Sequence, residues 1–166
     1  MKKIDVSIVM GSTSDLPVME LAANLLKKFG VSHEVRVLSA HRSPDDTAKY
    51  AKKAAERGVK VIIAGAGKAA HLAGVIASNT VLPVIGVPMK TSDLKGIDSL
   101  LSTVQMPSGV PVGTMAIGET GARNAAIFAI EILAAKNTAL RKKLHNFKNS
   151  LRAGVRKKDK EIKNKK

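Results

Sequence analysis

The chain has 166 residues, no cysteine and a formal charge of +15 from 28 Lys/Arg against 13 Asp/Glu. That length fits one domain with a substantial core of its own. The missing cysteines exclude disulfides, thiolate nucleophiles and cysteine-bound zinc, and fit a reducing compartment. The charge is uneven, since twelve Lys/Arg and two acids lie from Asn137 onward, placing +10 of the total in the last stretch.

The N-terminal segment IDVSIVMGSTSD has a short apolar part and no small-residue cleavage site, so it does not read as a secretory signal. No apolar run approaches the roughly 20 residues needed to span a bilayer. The expectation is a cytoplasmic protein with no membrane partner.

In chain order, apolar runs bounded by glycine or polar turns alternate with segments of helical period, as in βα units around a parallel sheet. Val6 to Met10 reads as a first strand and Leu16 to Phe29 as a helix, with Leu21, Ala22, Leu25 and Leu26 at core spacing and Gly30 as its stop. His33 to Leu38 is a second strand. Pro44 to Arg57 is a helix with Ser43 as N-cap, proline in its first turn, and Asp45 and Asp46 where the helix dipole favours acids. Val59 to Ala64 is a third strand, and a small-residue helix runs to about Ser78. Val81 to Val87, a short helix from Asp93 to Leu101, a strand near Val112 to Ala116 and an alanine-rich helix from Gly121 to Ala135 complete the domain. Five βα units predict a flavodoxin-like three-layer α/β/α sandwich with a five-stranded parallel sheet over residues 1–136.

A basic amphipathic helix is expected over 137–156, with Leu140, Leu144, Phe147 and Leu151 forming a narrow apolar stripe. The stripe buries either on its own domain or on a neighbouring subunit. The last residues, 157–166, read as a disordered basic tail.

Three unusual segments follow the first three strands: GSTSD, SAHRSPDD and GAGKAAHLAG. With strand order 2-1-3-4-5 they converge on one crevice at the carboxyl ends of the strands. The GSTSD loop, with Ser12, Ser14 and Asp15, offers hydroxyls and backbone N–H groups for a phosphate or sugar, or Ser14 or Asp15 simply caps a helix. Gly67 lets backbone approach a ligand, or makes a tight turn. Lys68 adds a cation; His71 faces the ligand or is half-buried structure. His41 is the candidate proton carrier, its alternative being an exposed loop histidine. Arg42 beside it suits a phosphate and disfavours a protonated imidazole, a bias that a bound dianion offsets. His33 and His145 have no metal-ligand spacing, so no metal is expected.

Together GSTSD, SAHRSPD, GAGKAAHLAG, VLPVIGVPM, GIDSLLSTVQMPSGVPVGTMAIG and GARNAA closely resemble the class I N5-carboxyaminoimidazole ribonucleotide mutases of purine biosynthesis. The resemblance implies an isomerase without metal or cofactor that moves a carboxylate from the exocyclic nitrogen to C4 of an aminoimidazole ribonucleotide. It implies that His41 transfers the proton, that Ser12, Ser14, Asp15, Ser39 and Arg42 hold ribose and phosphate, and that the loop of Gly67, Lys68, Ala69, His71 and Leu72 lies against the base. It also implies a homo-octamer whose C-terminal helices reach neighbouring subunits.

The family loop usually reads GAGGAAHLPG, so Lys68 and Ala73 are departures. Lys68 strains the loop if that glycine takes positive φ. Arg42 and the Ala69-Ala70-His71-Leu72 run favour the mutase over the related class that carboxylates the ribonucleotide with carbon dioxide directly. A nucleic-acid module and a non-catalytic binding protein are the remaining alternatives. With one tyrosine and three phenylalanines base recognition is poorly supported, so no specific nucleic acid is expected, although polyanion binding by the tail can coexist with catalysis.

Overall fold

The computed structural model describes residues 4–164. Five parallel strands form one sheet in the order β2-β1-β3-β4-β5: β1 Val6–Met10, β2 His33–Val37, β3 Val61–Ala66, β4 Val84–Pro88 and β5 Gly113–Thr114. The intervening helices are α1 Leu16–Phe29, α2 Pro44–Ala54, α3 Leu72–Ala77, α4 Ile97–Val104 and α5 Glu119–Ala134, and α6 Thr138–Lys163 follows. This is the flavodoxin-like arrangement expected from the pattern.

β1 and β4 are buried along their whole length, as strands covered on both faces must be. Side chains alternate between faces. Val9, Ile62 and Ala64 point to the layer that holds Ala51 and Ala54 of α2 and Leu72 and Ile76 of α3. Ile8 and Met10 therefore face the other layer, and α1 packs on β1. β2 is an edge strand, and its Val35 and Val37 stay exposed.

Local chemistry sets the element ends. Gly30 at φ 75° turns its N–H back to Leu26 and Lys27 and stops α1. α4 begins at Ile97 instead of Asp93, because Lys95 (φ 55°) and Gly96 (φ 95°) are left-handed and cannot belong to a right-handed helix. The first turn of α5 packs against the backbone of Ala116 only because residue 121 is glycine: a Cβ would lie 1.7 Å from the Ala116 carbonyl oxygen.

By contact the chain divides into Met1–Ile130 and Glu131–Lys166. The second unit holds the last turn of α5 and all of α6. Asn137 caps α6 by accepting from the Leu140 N–H, and Leu144 is the residue of that helix that becomes buried. The expected end near Arg156 is corrected, since the helix runs on to Lys163. No proline interrupts this stretch, and i,i+4 pairs of Lys157 with Glu161 and Lys163 with Asp159 span its last turns. Residues 165 and 166 of the expected tail lie outside the described residues.

Candidate active site

The loops after β1, β2 and β3 meet at the carboxyl ends of their strands, because those strands are neighbours in the sheet. Arg42 ties two of them together. Its Nη2 donates to the Gly11 carbonyl at 3.0 Å, and its Nε lies 3.4 Å from Ser39 Oγ. Ser39 is in turn held by Ser43, whose hydroxyl accepts from the Ser39 N–H and donates to the Ser39 carbonyl. Ser43 stands at the N-cap position of α2, but its side chain makes no capping bond. The expected cap is therefore corrected: the hydroxyl closes the loop that carries His41 and Arg42.

In the β1 loop, Ser12 Oγ accepts from the Ser14 N–H at 3.3 Å, and Ser14 Oγ lies 2.9 Å away from it. Asp15 occupies the N-cap of α1 without capping it. Burial pushes its carboxyl above the usual aspartate range, against the opposing hydrogen bonds of Ser14 and Ser12. A carboxyl that forgoes its capping role and is partly desolvated is available to a ligand hydroxyl.

The β3 loop turns sharply at Lys68, which holds φ 59°. That is the left-handed conformation expected to be strained in a residue with a side chain. Ala70 is buried beneath the turn, and His71 opens α3. His41 Nε2 lies 2.8 Å from His71 Nδ1, with the rings edge-on at 80°. Two imidazoles this close must share a hydrogen bond, so one nitrogen carries the proton and the other accepts it.

All of the residues singled out in the sequence (Ser12, Ser14, Asp15, Ser39, His41, Arg42, Gly67, Lys68, Ala69, His71 and Leu72) line one cavity of about 810 Å³. Such a volume suits a nucleotide-sized ligand. The sequence reading missed the fourth wall, made by Met89, Lys90, Thr91 and Ser92 after β4. Thr91 Oγ1 donates to the Asp98 carboxylate at 3.0 Å, which anchors this segment to α4. Strand order was the available signal, since the segment after β4 must lie beside the one after β3. Arg42, Lys68 and Lys90 face the cavity against the single carboxylate of Asp15, so the site favours an anion. Among the described residues, no group of three His, Asp or Glu side chains converges as a metal site.

A family model described as AIR carboxylase matches residues 5–153. The chain belongs to the AIR carboxylase family. It is 55% identical over 157 residues to the N5-carboxyaminoimidazole ribonucleotide mutase of Pyrococcus horikoshii, covering 95% of this chain and 88% of that one. It is 58% identical over 144 residues to the protein of that name from Vibrio parahaemolyticus, covering 87% and 89%. The crystal structure of Treponema denticola PurE superposes with a TM-score of 0.84 at 26% identity, covering 94% of this chain and 96% of that chain. The five strands of this AIR carboxylase family member, and the loops beyond their carboxyl ends, thus belong to a shared fold.

Proposed function

We propose that the chain is a mutase that converts N5-carboxyaminoimidazole ribonucleotide to 4-carboxy-5-aminoimidazole ribonucleotide, with His41 as the proton carrier. The mutase reading rests on relatives of that name at 50–58% identity over most of the chain. The observation that carries the residue assignment is the contact of His41 with His71 inside a cavity whose charges favour an anion.

The protonated His41 delivers its proton to the carbamate nitrogen as the bond from nitrogen to the carboxyl carbon breaks, releasing carbon dioxide next to the electron-rich C4. That carbon attacks the carbon dioxide, and the now neutral imidazole removes the C4 proton, which restores the starting charge of the enzyme. One acid–base group serves both halves. His71 fits as the partner that fixes the tautomer and ring orientation of His41. Arg42, Ser39, Ser12, Ser14 and Asp15 hold phosphate and ribose, Arg42 by charge-assisted hydrogen bonds. Gly67, Lys68, Ala69 and Leu72 lie against the base and keep the carbon dioxide from escaping into water. The chemistry uses neither metal nor cofactor. The exposed apolar side chains Leu94, Ile97, Leu101 and Val104 on and before α4 support assembly, here as a homo-octamer, and the cytoplasm is the proposed location.

The family description, AIR carboxylase, keeps one other reaction in view, direct carboxylation of aminoimidazole ribonucleotide. An absorbance assay separates the two. Purified protein given freshly made N5-carboxyaminoimidazole ribonucleotide should turn it over rapidly without added bicarbonate. Turnover only with aminoimidazole ribonucleotide and bicarbonate would assign the carboxylase reaction instead.

A further inference from the structure

The proposed reaction uses nothing from α6, yet that helix carries the densest charge in the molecule. Thr138–Lys163 holds ten Lys/Arg and two acids on one uninterrupted helix. From Lys148 onward every described residue is exposed. Ion pairs engage Lys148 with Glu131 at 2.7 Å, Lys163 with Asp159 at 2.8 Å and Lys157 with Glu161 at 4.0 Å. Among the described residues Arg152, Arg156 and Lys160 pair with no carboxylate. They follow one another at i,i+4 spacing and share a face with Asn149 and Asn164. They therefore form a ridge inclined to the helix axis, with a cation for every ~6 Å of rise.

The apolar stripe of Leu144, Phe147, Leu151, Val155 and Ile162 lies about 130° around the helix from this ridge. An interfacial membrane helix needs its basic residues flanking an apolar face of good width. Here the stripe is narrow, Lys158 falls inside it, and the unpaired cations point elsewhere. Polar ridge and apolar stripe cannot both meet one flat lipid surface. A chain of phosphates needs only the ridge. A helix of ~10–12 Å diameter also fits the major groove of a duplex, which is ~12 Å wide. No aromatic residue follows Phe147, so stacking on bases is absent from this half of the helix.

We infer that the distal half of α6 binds the phosphate backbone of double-stranded nucleic acid, without sequence preference, through Arg152, Arg156 and Lys160. The binding is electrostatic, so its affinity falls with salt at about 0.9 in log–log slope per phosphate engaged.

The test uses fluorescence anisotropy with labelled 20-base-pair duplexes of two unrelated sequences and the full chain, titrated from 50 to 300 mM KCl. Wild type should bind both duplexes alike, tighter than about 10 µM at the lowest salt. The variant Arg152→Gln/Arg156→Gln/Lys160→Gln should bind at least tenfold more weakly and with a salt slope flatter by about 2 to 3. Arg152→Lys/Arg156→Lys should retain both affinity and slope. The control Lys49→Gln/Lys52→Gln/Lys53→Gln removes the same charge from exposed positions of α2 and should change affinity less than twofold. Mutase turnover read in parallel should be unchanged in the α6 variants, which separates this outcome from any failure of the enzyme assignment. The inference is overturned if wild type fails to bind, if the α2 control weakens binding as much as the α6 variant, if one duplex is strongly preferred, or if phosphatidylserine vesicles are bound and the duplexes are not.

Discussion

The unit formed by β2 and α2 carries two polar clusters, and they behave in opposite ways. Along β2, Glu34 accepts hydrogen bonds from both terminal nitrogens of Arg57 at 2.8 and 3.1 Å and from the Tyr50 hydroxyl, which Ser7 also engages. Arg57 and Arg36 cover the Tyr50 ring at 4.6 and 5.7 Å. Just beyond the end of the strand, His41 bonds to His71 of the β3 loop and Arg42 to Gly11 of the β1 loop and to Ser39 of its own, and His41, Arg42 and Ser39 all line the cavity. The first cluster is closed on itself; the second has capacity left for a ligand. Polar residues hold a fold together where their partners are complete and bind where they are not.

Substitutions can break this contrast. The largest effect is expected for His41→Asn, which keeps a similar polar shape but cannot carry a proton. Turnover should fall by about 10²- to 10⁴-fold while the thermal midpoint stays close to wild type. Near-normal turnover in the absorbance assay would remove the proton-carrier role. Arg42→Ala should act next most strongly, and mainly on binding. Loss of charge-assisted hydrogen bonds worth about 1.5–3 kcal/mol raises KM roughly 10- to 150-fold with a smaller change in kcat, and an unchanged KM would exclude the phosphate role.

Glu34→Gln tests the closed cluster and should reverse the pattern. Desolvation alone would raise the Glu34 pKa, but the hydrogen bonds from Arg57 and Tyr50 and the charges of Arg57 and Arg36 outweigh it and hold it below the usual value. A depressed carboxylate pKa contributes stability that is present above the unfolded value near 4.5 and is lost as pH falls through the folded value. Replacing the carboxylate should therefore cost about 1–3 kcal/mol in denaturant unfolding at pH 7. The difference from wild type should shrink toward acid pH, with turnover per folded molecule unchanged. A penalty that stays constant down to pH 3 would show that the cluster's charge is not what stabilises it.

Asp15 has the opposite sign. Its carboxyl is raised mainly by burial, so the folded state binds a proton more readily than the unfolded chain. Its ionisation removes stability as pH rises from 3.8 through the raised value. Asp15→Asn should thus raise the thermal midpoint slightly at pH 7 while weakening substrate binding. A lower midpoint would mean that the charged carboxyl supports the loop rather than waiting for a ligand.

Sequence made the crevice legible because two simple facts combine there: in a parallel sheet, ligands bind at the carboxyl ends of the strands, and GSTSD, SAHRSPDD and GAGKAAHLAG each follow a strand. What periodicity could not show depends on long-range contact. The Glu34, Tyr50 and Arg57 cluster joins residues 16 and 23 positions apart, and nothing in the local pattern marks them as partners. Nor does any local pattern mark Met89 to Ser92 after β4 as a wall of the cavity. The start of α4 moved from Asp93 to Ile97 because two consecutive left-handed residues, Lys95 and Gly96, precede it. Residues 157–163 continue α6 as a helix where composition suggested disorder, since lysine-rich sequence has good helical propensity as well as high charge.

The smallest effect sharpens the contrast at a single position of the open cluster. Lys68 holds φ 59°, the left-handed conformation that suits glycine, and a side chain there costs about 1–2 kcal/mol. The residue is exposed and lines the cavity, so what its ammonium offers is charge toward an anionic ligand. Lys68→Gly should relieve the strain, although the freer unfolded chain of glycine offsets part of the gain. A net stabilisation of at most about 1 kcal/mol is expected, raising the melting temperature by roughly 2–4 °C. If the ammonium also faces the substrate carboxylate, KM should rise by about two- to fivefold in the same variant, an amount typical of a solvent-exposed charge pair. Stabilisation with unchanged KM would make Lys68 a tolerated substitution in the loop. Stabilisation with a raised KM would make it a strained residue retained for binding, which is what distinguishes an open polar cluster from a closed one.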